Sequence, residues 1–155
     1  MTQAQHGPAD SMAHELVCAR ELLECLQHEQ SHLIQADIAA LALGAQRKNA
    51  LVARMATLAQ TRIQALAATG HAATDAGMLA WLAAQPQAVR EVWQTLLAVA
   101  ASGKELNRTN GLLIHQHLNR NQGALQALRG GGQPAVYGRD GQQNVQTSGR
   151  SFVAG

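Results

Sequence analysis

Leu106-Asn107-Arg108-Thr109-Asn110-Gly111-Leu112-Leu113-Ile114, continued by Asn119-Arg120-Asn121-Gln122-Gly123-Ala124-Leu125-Gln126-Ala127-Leu128, decides how this chain is read. Leu106, Leu113, Ile114, Leu118, Leu125 and Leu128 recur at helical spacing, so the stretch reads as the end of a long amphipathic helix. Asn107, Asn110 and Asn121 fall beside or between them, where a simple bundle prefers leucine. On residue physics alone, such amides fix register or pairing at some cost in stability, or face water.

Upstream, the same helix starts after Pro86, a natural first-turn residue, and keeps its period through Val89, Val92, Trp93, Leu96, Leu97 and Val99 to about Arg129. Gly103, Gly111 and Gly123 interrupt it, each costing about 1 kcal/mol relative to alanine, which suggests close approach by another backbone or a partner, or else a bend. An earlier short segment with Met78, Leu79, Trp81 and Leu82 is capped by Thr74 or Asp75, after Thr69-Gly70-His71 closes the helix before it. That helix begins at Asp37 and carries Ile38, Leu41, Leu51, Met55, Leu58, Ile63 and Leu66. The first helix follows Gly7-Pro8, with Asp10 or Ser11 as cap, and repeats Met12, Leu16, Ala19, Leu23, Leu26 and Leu33 at steps of four and three. Only a tight turn near Gln35 separates these two, which favours a hairpin over one kinked rod.

Composition agrees. Hydrophobic residues make up 46% of the chain, but many are alanine, and aromatics are only 3%. Thin cores between closely packed helices suit that mixture better than a sheet. The reading is therefore all-α: an elongated antiparallel bundle of three long helices with coiled-coil-like packing, a short extra helical segment, and a flexible C-terminal tail. The bundle domain takes residues 1–129 and the Gly/Gln-rich tail 130–155, where Gly130-Gly131-Gly132 stops the helix and Tyr137 and Phe152 are isolated aromatics.

Several function classes drop out. A formal charge of +2, spread over the chain, gives no stripe for nucleic acid. No apolar run is long enough to span a membrane, and Met1–Asp10 lacks an export signal, so a cytoplasmic location with reduced Cys18 and Cys25 is expected. No phosphate-binding loop, nucleophile elbow or His-Glu-x-x-His pair appears, so the chain is not read as an enzyme and needs no cofactor. His14, Cys18, Cys25, His28 and His32 form a second stripe on the first helix. Cys25, His28 and His32 share a face and make a metal-binding helical protein one alternative, but one helix supplies ligands only along a line, and solvent-facing side chains are the plainer account. A coiled-coil assembly factor without chaperone activity is another alternative.

The order Leu-Asn-x-x-Asn-Gly, Arg-Asn-Gln-x-Ala-Leu-x-x-Leu, Tyr-Gly-x-Asp-Gly-Gln resembles the FlgN family of flagellar type III export chaperones. Here it is carried by Leu106, Asn107, Asn110 and Gly111, then Arg120, Asn121, Gln122, Ala124, Leu125 and Leu128, then Tyr137, Gly138, Asp140, Gly141 and Gln142. The resemblance implies a cytosolic chaperone for the hook-filament junction proteins, the first and third hook-associated proteins, that delivers them to the flagellar export gate. It implies client contact by Leu106, Asn107, Asn110, Gly111, Leu113, Ile114, Leu118, Arg120, Asn121, Leu125 and Leu128. Tyr137, Gly138, Asp140 and Gly141 become the export-gate contact. Weak self-association through the same seam is left open.

Overall fold

The computed structural model describes residues 6–154, with side chains through Gly130. Among the described residues there is no strand. Four helices follow one another: α1 (Pro8–Gln35), α2 (Ile38–Ala68), α3 (Asp75–Ala83) and α4 (Gln87–Ala154). The all-α class and the order long, long, short, long agree with the sequence reading. The chain divides into two compact units, Met1–Leu113 and Ile114–Gly155, a boundary upstream of the one that composition suggested. α4 runs unbroken through Gly130-Gly131-Gly132 to Ala154, which corrects the expectation that these glycines stop the helix near Arg129: each weakens a helix by about 1 kcal/mol but does not forbid it. The side chains beyond Gly130 lie outside the described residues.

Helix ends follow local chemistry. α1 starts earlier than expected, with Gly7 as N-cap and Pro8 in the first turn, where its missing N–H costs nothing. Asp10 serves from inside the helix: its carboxylate accepts the Gly7 N–H at 3.1 Å. Ser11, the other expected cap, is buried instead and faces α2. Between α1 and α2 the chain reverses within two residues, Ala36 in the left-handed region at φ 56° and Asp37, whose carboxylate accepts the Ala40 N–H at 3.1 Å. The hairpin reading holds, and the kinked rod does not. Gly70, at φ +86°, lets the chain leave α2, and the Thr74 hydroxyl accepts the Gly77 N–H at 3.1 Å to start α3.

α1 and α2 run in opposite directions with a seven-residue register. Ser11 Oγ donates to Leu58 O at 2.7 Å, and the thiols of Cys18 and Cys25 lean on Leu51 O and Gly44 O at 3.6 and 3.7 Å. Three small side chains one heptad apart on α1 thus meet α2 carbonyls one heptad apart, and smallness is what lets the two backbones approach. This corrects the reading of the second stripe as solvent-facing: Cys18 and Cys25 are buried at the helix–helix contact, while His14 and His28 are exposed. The stripe looked polar because cysteine counts as weakly hydrophobic, yet it packs as a small apolar residue.

A larger core closes one end of the first unit. Met12 from α1, Leu66 from α2, and Met78, Trp81 and Leu82 from α3 are buried together, with Val89, Val92 and Trp93 of α4 packed on them. Full burial of side chains this size contributes roughly 1.5–3 kcal/mol each, so α3, though short, anchors the α2–α4 connection. α4 then follows α1 in the same direction. Leu96 is buried, Gly103 comes near Leu26, and Asn110 bonds to the Leu26 carbonyl.

Candidate functional site

The residues picked from sequence separate into three groups. Asn110 is fully enclosed, 0% exposed; its Nδ2 donates to Leu26 O and to Glu29 Oε1, both at 2.9 Å. Glu29 in turn accepts Lys48 Nζ at 3.2 Å on each oxygen, so one carboxylate joins side chains from α1, α2 and α4. The expectation that Asn110 meets a client is therefore corrected. The helical period could place this amide in a seam but could not say that the chain's own first helix fills that seam. Leu106 and Leu113 are half-buried, and Asn107 and Gly111 are exposed.

The second group lies in the unit beginning at Ile114. Ile114 is 42% exposed, Leu118 54%, Leu125 55% and Leu128 75%, and Arg120 and Asn121 are exposed as well. Ile114, Leu118, Asn121, Leu125 and Leu128 are spaced by four, three, four and three residues, which puts them on one face of α4. Large aliphatics gathered on one face and open to water form the kind of patch that marks a protein contact. Because Gly123 stands on the opposite face and meets nothing within 4 Å of an added Cβ, the strip's own geometry does not require it.

Tyr137, Gly138, Asp140 and Gly141 make up the third group, and their side chains lie outside the described residues.

Two concavities in the first unit were not foreseen. One, of about 290 Å³, has Leu22 and Leu23 from α1, Val52 and Met55 from α2, and Val99 and Gly103 from α4 on its walls, with Asn107 also lining it. The small residues Ala19, Ala100 and Gly103 were the legible signal, since they leave room between helices. The other, of about 270 Å³, opens beside Cys25, His28, Glu29, His32 and Arg47 near the α1–α2 turn. Burial pushes the Cys25 thiol above its ordinary range, with Arg47 pulling it partly back. A neutral thiol held on Gly44 O is a poor ligand or nucleophile. Among the described residues, no group of three or more His, Cys, Asp or Glu is placed to hold a metal ion.

Glu105, exposed, pairs with Arg108 at 2.7 Å, and the hydrogen bond from Arg108 holds its carboxyl below the usual range. No acidic residue follows until Asp140. None of the described helices is long and apolar enough to cross a membrane.

A family model described as "FlgN protein" matches residues 1–144 of this chain. Among similar curated proteins, a "Flagella synthesis protein FlgN" from Proteus mirabilis is 38% identical over 65 residues, 42% of this chain and 41% of the relative. Another of that name from Salmonella typhimurium is 33% identical over 66 residues, covering 43% of this chain and 47% of the relative. The aligned part thus spans less than half of each curated relative. No solved structure matches the chain significantly.

Proposed function

The chain belongs to the FlgN family, and from that premise we propose that it acts in flagellar assembly as a cytosolic export chaperone. In this reading it binds the hook-filament junction proteins, the first and third hook-associated proteins, and delivers them to the flagellar type III export gate. The relatives' shared designation as flagella synthesis proteins supports the process. One observation carries the chaperone role: the exposed aliphatic strip Ile114, Leu118, Leu125 and Leu128 on a helix.

A helix that leaves such a strip in water gains when a partner's apolar helix face covers it, and the covered partner is kept from assembling early. Arg120 and Asn121 are exposed in the same unit as the strip, and Leu106, Asn107, Gly111 and Leu113 are further proposed client contacts. Tyr137, with Gly138, Asp140 and Gly141 around it, is assigned the export-gate contact, because tyrosine offers much contact area for little lost rotamer freedom. The scaffold is an antiparallel bundle of the three long helices with coiled-coil-like packing, which the seven-residue register between α1 and α2 supports. No enzymatic step is part of this reading.

Purified junction proteins supply the test. Leu118→Ala combined with Leu125→Ala removes two exposed aliphatics, so client affinity should fall by at least about tenfold while thermal stability is unchanged. Removing residues 130–155 should leave client binding intact and abolish capture by the export gate. Full client affinity in the double variant would sink the proposal.

A further inference from the structure

We infer that the helix seated on Ile114–Leu128 presents a hydrogen-bonding side chain, most simply an amide, opposite Asn121, and acidic side chains along its flanks. This rests on the reading of that strip as the docking face. Asn121 stands at the middle of the four-three-four-three series, between Leu118 and Leu125, so any helix that covers those leucines also covers the amide. A covered amide facing only methyl groups loses its water and gains nothing, a penalty that weakens binding by roughly tenfold or more. A partner whose own seam carries an amide at that level avoids the loss, and a partner slipped by one heptad does not. Asn121 thereby sets which helix fits and in which register.

Charge identifies the rest of the occupant. Between Ile114 and Gly130 the residues with formal charge at neutral pH are Arg120 and Arg129, and the chain has no acidic residue between Glu105 and Asp140. In the heptad fixed by Leu118 and Leu125, His115, His117, Gln122, Ala124 and Arg129 border the seam, and of these Arg129 carries the formal charge. A second copy of this chain would bring Arg129 to a border that carries no acidic residue, whereas a helix bordered by Glu or Asp meets Arg129 with opposite charge. The favoured occupant is thus a different chain with an acidic amphipathic helix.

Three synthetic peptides, each about four heptads long with a Leu/Ile seam, test this on the full-length protein by fluorescence anisotropy. The first carries one central seam Asn and Glu borders; the second replaces that Asn by Leu; the third keeps the Asn but has Lys borders. Like-charged borders discourage each peptide from pairing with itself. The first peptide should bind about tenfold tighter than the second. It should also bind tighter than the third, by a margin that shrinks as salt is raised. In Asn121→Leu the order of the first two peptides should reverse, with helix content unchanged by circular dichroism. Equal binding of the first two peptides with no change in Asn121→Leu, or preference for Lys borders, overturns the inference. Loss of all binding in Leu118→Ala/Leu125→Ala without any Asn121→Leu effect leaves the docking face standing and removes only Asn121's role. Unchanged binding in that double variant removes both.

Discussion

The side-chain amide of Asn110 on α4 donates to the carboxylate of Glu29 on α1 at 2.9 Å, across 81 positions of chain. The same amide reaches the Leu26 carbonyl, and Glu29 also holds Lys48 of α2 at 3.2 Å. Lys48 is partly open to solvent, so its pairing alone contributes little; the buried amide is the part that cannot be replaced by water. Asn110→Ala removes both bonds and leaves a space. It should lower the unfolding free energy by about 1–3 kcal/mol in a urea titration. Combining it with Glu29→Ala should cost less than the sum of the two single changes, because both remove the same contact. An additive double variant would mean that the two side chains do not act together.

Glu15 and Arg62 form a second junction of the same kind, two heptads away along both helices. Glu15 is 2% exposed and accepts Arg62 Nε at 2.8 Å, and the Arg62 guanidinium lies 4.9 Å from the centre of the Trp93 ring on α4. Removing one partner of a buried pair strands the other, so Arg62→Met should destabilise the protein by roughly 3–5 kcal/mol. Glu15→Leu with Arg62→Met should recover most of that loss, since two apolar side chains of similar volume need no compensation. Chemical denaturation of the two variants side by side decides it. If the double variant is as unstable as Arg62→Met, the pair contributes more than mutual neutralisation.

Much of this architecture was legible because α1 and α2 obey a strict period. Of the seam Met12, Leu16, Ala19, Leu23, Leu26 and Leu33, Leu16 and Leu23 are half-buried and the other four are buried. Asp37, Thr74 and Pro86 stand where helix-start chemistry puts them. What stayed hidden depends on pairing between distant segments. Cys18 and Cys25 read from sequence as part of a solvent-facing stripe, and only the α2 carbonyls opposite them make them core. Asn110 and Asn121 are the same residue type in similar seams of one helix, yet α1 encloses the first and the second is exposed. A period tells which face a residue occupies, not what covers that face.

The thiols of Cys18 and Cys25 respond to pH in a defined direction. Burial raises both above the ordinary thiol range, with Arg54 and Arg47 respectively opposing the rise. A raised value means that the fold favours the neutral thiol. That stabilisation is fully present below the unfolded-state value of about 8.5 and is lost as pH climbs through the higher folded value. Melting temperature should therefore fall as pH climbs above the unfolded-state thiol value, and less steeply in Cys18→Ala/Cys25→Ala measured against its own value at pH 7. A thiol reagent at neutral pH should label neither cysteine until denaturant is added. Rapid labelling of the native protein would contradict the burial.

The glycines supply the sharpest contrast, because three of them differ only in surroundings. A Cβ on Gly77 would collide with the Ala72 carbonyl oxygen, backbone that cannot move without shifting the loop before α3. Gly77→Ala should therefore cost about 1–3 kcal/mol by the same route as overpacking, despite alanine's better helix propensity. A Cβ on Gly103 would sit 3.8 Å from Leu26 Cδ1, an ordinary contact, and one on Gly123 would meet nothing within 4 Å. Gly103→Ala and Gly123→Ala should each gain up to about 1 kcal/mol, because alanine loses less backbone freedom on forming a helix. Gly123 also lies on the face opposite Leu118 and Leu125, so the gain should come with unchanged client affinity. Urea titrations of the three variants, with a client-binding measurement on Gly123→Ala, test both halves. If Gly123→Ala stabilises the chain but weakens client binding, a partner touches the back of α4 as well, and the single-face docking mode is wrong.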